Sequence, residues 1–247
     1  MDAPKPPHSN AKEIAAFLHE VSRFLDPSSI RTIVELGSRD AEVAIALKRV
    51  FPQAQVFAFE CNPAAVELCR RNIVAAGVEG VTLVSRAISD TNGTVDFYSI
   101  DPTRTVTSHG DGNIGASSLF QASPDYPYEQ YVQNKISVEA TTLARWAQEN
   151  SVTDIDLIWM DLQGAELKAL HGMNGILNNI RILYTEVEFK PIYIGQPLFP
   201  EIDLFMRQHG FRLHGQFNRS EWFGDAMYVQ AGMTSNPIKK VLRKLRG

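Results

Sequence analysis

Cysteine is almost absent from this 247-residue chain, which has two, Cys61 and Cys69. Eight residues apart and expected on one helical segment, they supply neither a disulfide framework nor a CxxC metal pair, so a reducing cytoplasm is the expected setting. Long apolar runs are missing as well. No stretch approaches the roughly 20 residues that a membrane-spanning helix needs, and Met1-Asp2-Ala3-Pro4-Lys5-Pro6-Pro7 lacks the apolar core of a signal peptide; the chain is expected to be neither secreted nor membrane-spanning. Charge of one sign is not in excess: the formal net charge is −4, with 21% charged and 44% hydrophobic residues. That balance excludes a disordered chain, and no basic groove interleaved with aromatics offers itself to nucleic acid. The remaining composition is that of one globular α/β domain, expected over residues 1–236.

What is present begins with Ile33-Val34-Glu35-Leu36-Gly37-Ser38 and, 23 residues after its glycine, Glu60. A β-branched strand running into a glycine turn, then a helix, then a second strand ending in an acid, is the edge that meets a nucleotide ribose in a doubly wound sheet. The dinucleotide fingerprint needs two further glycines where Arg39 and Glu42 stand, and Asp40 at the helix start opposes a phosphate. NAD and FAD are therefore disfavoured, and a phosphate-free adenosine cofactor fits better. S-adenosylmethionine has a ribose diol for Glu60 and an ammonium that Glu35 can hold directly or through water.

Strands and helices alternate along the chain. A capping-box-like Asn10 and Glu13 open an amphipathic helix to about residue 25. Strand 31–36, helix 40–50, strand 55–60, helix 63–76 and strand 81–86 follow, the second helix opened by Asn62 and Pro63. An extra strand is expected over 94–99. Residues 101–133 are polar, rich in Gly, Ser and Pro and without a sustained period, too long for a simple connector, so they form either a lid or a floppy insertion. The pattern resumes with strand 136–140, helix 142–149, buried strand 155–160, helix 165–177, strand 180–189, a loop at 191–200 and a helix ending at His209-Gly210. The pair 211–217 and 226–230 reads as an antiparallel hairpin at the sheet edge.

A second constellation is Trp159-Met160-Asp161-Leu162-Gln163-Gly164-Ala165-Glu166, a buried strand ending in a carboxylate at the edge where such sheets bind ligands. With Glu35-Leu36-Gly37, Phe59-Glu60, Gly115-Ala116-Ser117-Ser118-Leu119 and Thr185-Glu186-Val187, it resembles the FkbM-type methyltransferases over roughly residues 33–229. The resemblance implies a class I methyltransferase fold, α/β with a Rossmann-like doubly wound, mostly parallel seven-stranded sheet and an antiparallel last strand. It also implies methyl transfer from S-adenosylmethionine to a hydroxyl of a sugar, glycolipid or natural product. The chain departs from the common motif at Met160 and Gln163, where that motif carries two charges, which keeps open a second reading as a cofactor-binding module without turnover.

The expected cofactor-binding set is Glu35, Gly37, Ser38, Glu60, Cys61, Ala87 and Asp161. A sugar hydroxyl is a poor nucleophile, so a base or metal is expected; Asp161, Glu186 and His109 are the catalytic candidates, with Glu188 beside them. Side by side, Asp161 and Glu186 could hold Mg²⁺; alternatively Asp161 caps the helix opened by Gly164 and Glu186 meets a backbone amide. Glu166, in the first helical turn, reads as an anchor of that helix rather than a catalyst. His171, His209 and His214 show no metal-ligand spacing. Phe120, Tyr126, Tyr128 and Tyr131 are expected to stack on a sugar face or to anchor the insertion, with Tyr193, Gln196 and Phe199 as the opposite wall. Residues 237–247 carry five basic residues and no acid, an amphipathic tail suited either to an anionic membrane face or to solubility. No residue pattern specifies an oligomer.

Overall fold

The computed structural model describes residues 11–235, so the Asn10 cap and the basic tail lie outside the described residues. Strand β1 (Thr32–Leu36) lies between β2 (Gln55–Phe59) and β7 (Ile155–Met160), parallel to both. β3 (Val81–Val84) extends the sheet beyond β2, and β8 (Ile180–Glu188) extends it beyond β7. The closing strands are β9 (Phe211–Phe217) and β10 (Phe223–Gln230), and β10 inserts antiparallel between β8 and β9. The full order is β3-β2-β1-β7-β8-β10-β9, with every strand parallel except β10. The expected doubly wound seven-stranded sheet with an antiparallel last strand is therefore present.

Two apolar layers sandwich the sheet. On one face α1 (Ala11–Val21) and α2 (Glu42–Val50) bury Phe17, Val21, Val43 and Leu47 against Ile33, Val56, Leu157 and Tyr184. On the other, α4 (Leu143–Glu149), α5 (Glu166–His171) and α6 (Phe199–Gln208) bury Trp146, Leu170 and Phe205 against Val34, Ile158 and Leu183. β7 is buried along its whole length, as a strand covered on both faces must be. α3 (Pro63–Ala76) starts where the Asn62 side chain accepts the Ala64 amide at 3.2 Å with Pro63 in the first turn, and stops at Gly77 with φ +61°.

Three expectations need correction. The strand at 136–140 does not continue the main parallel sheet: β6 (Gln133–Thr141) pairs with β5 (Gly93–Ile100), the extra strand expected over 94–99, and the two-residue β4 (Ala87–Ile88) completes a separate three-stranded sheet. The helix expected to reach residue 177 ends at His171. Gly172, where a Cβ would lie 2.1 Å from the Ser89 carbonyl oxygen, still has helical angles, and Gly175 with φ +99° turns the chain away from the helix. Cys61 precedes α3 rather than sharing it with Cys69. The segment 101–133 is packed, not floppy: it carries a 3₁₀ turn at Ile114–Ala116 and bridges Tyr98 to Ser118, Val106 to Gln130 and Ala122 to Tyr193. It forms a lid over the carboxyl edge of the main sheet.

Candidate active site

β1 delivers Glu35 and then turns at Gly37, whose φ is +84°. The Gly37 and Ser38 amides both donate to the Phe59 carbonyl, at 3.0 and 2.9 Å, and the Asp161 amide donates to the Leu36 carbonyl at 2.9 Å. The ends of β1, β2 and β7 are thus locked together, so closely that a Cβ on Gly37 would sit 1.8 Å from the Asp161 carbonyl oxygen. Arg39 and Ala41 also take left-handed φ values, +52° and +64°, a concentration of strained backbone typical of functional loops. Asp40 accepts the Glu42 amide at 2.9 Å, so a carboxylate covers the start of α2 and no phosphate is invited there.

Two buried acids flank this turn. Glu35 accepts the Ser38 hydroxyl, and burial holds its carboxyl well above the usual range, the charges of Asp40 and Glu60 adding to the effect. Glu60 ends β2 with one oxygen accepting the Arg39 amide at 2.8 Å and the other accepting the Cys61 and Asn62 amides, each at 2.8 Å. Burial raises its carboxyl too, against these three hydrogen bonds.

Asp161 and Glu186 follow the paired residues Met160 and Thr185 on the adjacent parallel strands β7 and β8, so the two carboxylates emerge side by side. Gln163 spans them: its Nε2 donates to Asp161 Oδ1 at 2.6 Å and to Glu186 Oε2 at 2.9 Å. Burial pushes the Glu186 carboxyl well up, with the charges of Asp161, Glu188 and Asp225 next in effect. α5 receives no side-chain cap, so Asp161 does not cap it. Glu166, fully buried, anchors the turn by accepting the Leu162 amide at 2.7 Å through Oε1. Among the described residues its Oε2 has no hydrogen-bond partner, nor has Glu188 Oε2. Glu188 is buried below the site and does not join the catalytic candidates.

Burial, and then the Asp161 charge, push the Glu166 carboxyl up to about 8. In the unfolded chain such a group titrates near 4.3. Between those values the folded protein holds a proton that the unfolded chain releases, so this contribution to stability is full below about pH 4 and is lost as pH rises to about 8. Glu166→Gln keeps the acceptor for Leu162 and removes the titration. Thermal melts from pH 5 to 8 are expected to show the variant gaining on the wild type by several °C, a few kcal/mol in order of magnitude. A constant gap would mean that the wild-type carboxyl is ionised in the fold.

The lid supplies the third wall. Its Glu129 accepts from the Thr107 and Tyr131 hydroxyls and from Asn113 Nδ2 at 2.9 Å, and His109 Nε2 lies 4.0 Å from it. Tyr126 stands edge-on to Tyr128 and to Trp222 of the β9–β10 turn, with ring centroids 5.7 and 5.3 Å apart. Two polar latches close the lid. Arg39 Nη2 meets Asp111 at 2.5 Å, and the Ser118 hydroxyl donates to the Gln163 carbonyl at 2.7 Å. The buried Tyr193 hydroxyl lies 2.8 Å from both the Ala116 carbonyl and Gln163 Oε1.

These walls enclose a cavity of about 810 Å³, toward the upper end of the range for small-molecule sites. Glu35, Gly37, Ser38, Glu60, Cys61, Ala87, Asp161, Glu186 and His109, all singled out from sequence, line it together. So do Tyr126, Tyr128 and Tyr131, whereas Phe120, Tyr193, Gln196 and Phe199 do not. His171 and His209 pack on Phe205, and His214 bonds Glu20 at 2.7 Å. Glu129, Trp222 and the bridging role of Gln163 were not anticipated: each depends on side chains converging from distant segments. The donor set suits a cofactor with a ribose diol and a cation but no phosphate. It does not fit Mg²⁺, which demands near-octahedral oxygen ligands. The Gln163 amide hydrogens fill the space between Asp161 and Glu186, and among the described residues no group of three or more His, Cys, Asp or Glu could hold a metal.

The strand order, the glycine turn and the acid at the tip of β2 define a class I methyltransferase, a class that takes its methyl group from S-adenosylmethionine. Residues 34–213 match the Methyltransferase FkbM domain, and the chain belongs to that family. It is 35% identical over 194 residues to the 2-O-methyltransferase NoeI of Sinorhizobium fredii, covering 76% of this chain and 74% of that protein. It is 22% identical over 210 residues to the methyltransferase sdnD of Sordaria araneosa, covering 78% and 77%. In fold it is similar to the precorrin-6y C5,15-methyltransferase of Geobacter metallireducens, with a TM-score of 0.50, 11% identity and coverage of 92% of this chain and 93% of that one.

Proposed function

We propose that the protein transfers the methyl group of S-adenosylmethionine to a hydroxyl oxygen of a sugar, glycolipid or natural product. The observation that carries this reading is the single cavity joining the Gly37–Glu60 edge to the Asp161–Glu186 pair under one lid. The name of the 35%-identical relative, a 2-O-methyltransferase, supports oxygen as the acceptor atom. S-adenosylmethionine, when bound, supplies an electrophilic methyl group. Glu60 accepts the ribose hydroxyls, Glu35 faces the cationic end, and Gly37, Ser38, Cys61, Ala87 and the Asp161 backbone shape the slot. The lid excludes water and aligns the acceptor, and positioning of this kind is worth about 7–11 kcal/mol.

Either Asp161 or Glu186 takes the hydroxyl proton, with His109 on the lid as the third candidate. Tyr126, Tyr128 and Trp222 offer flat apolar faces to the acceptor while Glu129 and Glu186 accept hydrogen bonds, a combination suited to a sugar ring. Among the described residues no helix is long and apolar enough to cross a membrane; the basic segment 237–247 supports peripheral contact with an anionic bilayer where glycolipid acceptors sit.

Calorimetry with S-adenosylmethionine tests the reading before any acceptor is known. Glu60→Ala removes the ribose acceptor and leaves the Arg39, Cys61 and Asn62 amides unpaired, each costing about 1–3 kcal/mol. Affinity is expected to fall at least about 100-fold. No binding by the wild type would overturn the assignment of the cofactor site.

A further inference from the structure

One side chain wired into the site is of a kind that chemistry alone would pass over. Gln163 bridges two carboxylates through one amide nitrogen, at 2.6 and 2.9 Å. Its Oε1 lies 2.8 Å from the Tyr193 hydroxyl; this orients the amide so that its hydrogens, not its oxygen, face the acids. Its carbonyl accepts the Ser118 hydroxyl, and its backbone takes φ +53°, a conformation that a residue with a side chain holds only when its surroundings impose it. Asp161 and Glu186 are close like charges lining the cavity, an arrangement that on its own drives a proton onto one of them. Their separation and orientation pass through the only group that bonds to both among the described hydrogen bonds.

We propose that Gln163 is a positioning residue of the methyl transfer: its amide fixes the spacing of Asp161 and Glu186 and sets the proton affinity of Glu186, while Tyr193 holds that amide and Ser118 holds the Gln163 backbone in register with the lid. The proposal rests on the reading of Asp161 and Glu186 as the groups nearest the chemistry. A neutral bridge has a particular consequence. A lysine here would hold both acids ionised, and a third carboxylate would drive them apart; an amide donates one hydrogen to each and leaves the pair free to exchange a single proton with an acceptor hydroxyl.

The groups facing Glu186 are Asp161 from β7, Glu166 from α5, Glu188 on its own strand, Asp225 from β10, and Tyr126, Tyr131 and Tyr193 from the lid and the loop after β8. None of them changes in the variants that test the proposal. With glutamate carboxyls labelled in ¹³C and the Glu186 signal identified by its loss in Glu186→Gln, NMR titration reads the pair directly, without an acceptor. Gln163→Lys is expected to lower the Glu186 midpoint by about 1–3 pH units, and Gln163→Asn to raise it, because the shorter amide loses the bridge. Asparagine tolerates the left-handed backbone, so Gln163→Asn keeps the fold. Binding of S-adenosylhomocysteine, measured by calorimetry, is expected to stay within a few-fold of wild type in both variants. An unmoved Glu186 titration in variants that fold and still bind would overturn the proposal. Failure of the wild type to bind would instead strike the cofactor site and leave the titration result standing.

Discussion

Gly37→Ala is expected to abolish binding of S-adenosylmethionine and to lower the melting temperature by roughly 10 °C. The added methyl would lie 1.8 Å from the Asp161 carbonyl oxygen and 2.9 Å from its carbon, inside any permissible contact. The backbone cannot retreat, because the Gly37 and Ser38 amides are bonded to Phe59 and the Asp161 amide to Leu36. A left-handed φ adds its own penalty for a residue with a Cβ. Strain and overpacking together cost about 4 kcal/mol. The methyl also pushes β1 from β7 at the line where the cofactor slot meets the Asp161–Glu186 pair. Thermal melts and calorimetry check both parts; wild-type values would mean that the turn rebuilds around the methyl without cost.

Asp161→Asn and Glu186→Gln are expected to lower kcat about 10²–10⁴-fold, the range for loss of general base catalysis, while S-adenosylhomocysteine binds as in the wild type. The pH profile separates the two acids. Burial and the neighbouring acids raise the Glu186 carboxyl, so with Glu186 as the base the rate climbs with pH through that raised value and is lost below it. Asp161→Asn removes a like charge and moves the acid limb to lower pH, whereas Glu186→Gln removes the limb. Measurement of kcat across pH 5–9 in the three proteins reads this directly. Full activity in both variants would take these carboxylates out of the chemistry and leave His109 as the base.

The legible parts of this fold are those whose signal is local. Asn62 before Pro63 marks the start of α3 because cap and proline act within one turn. The Gly37 turn and Glu60 are found by spacing because consecutive parallel strands bring their ends to one edge. Glu35, Ser38, Cys61, Asp161 and Glu186 meet in one cavity for the same reason, and Ala87 of the small sheet and His109 of the lid complete it. Other features depend on remote partners. The small sheet of β5 and β6 pairs Gly93 with Ala140 across the whole lid segment, and no periodicity announces it. Gly172, just after α5, has no room for a side chain because the Ser89 carbonyl packs against it, and Ser89 lies on another part of the chain. Gln163 reads from sequence as the loss of a charge, and its two acid contacts appear only when β7 and β8 stand side by side. The expectation of Mg²⁺ fails on that residue, since a pair of acids looks like a ligand set until the amide between them is known.

The two latches of the lid also differ in what loosens them. Arg39 ties the lid to the glycine turn through Asp111, and Ser118 ties it to the turn after β7. The cover over the Gly37–Glu60 edge and over the Asp161–Glu186 pair is therefore one piece of chain, running from the end of β5 to the start of β6. Salt screening at the exposed Arg39–Asp111 contact is expected to loosen that latch, whereas the Ser118 hydrogen bond, between uncharged groups, is expected to hold.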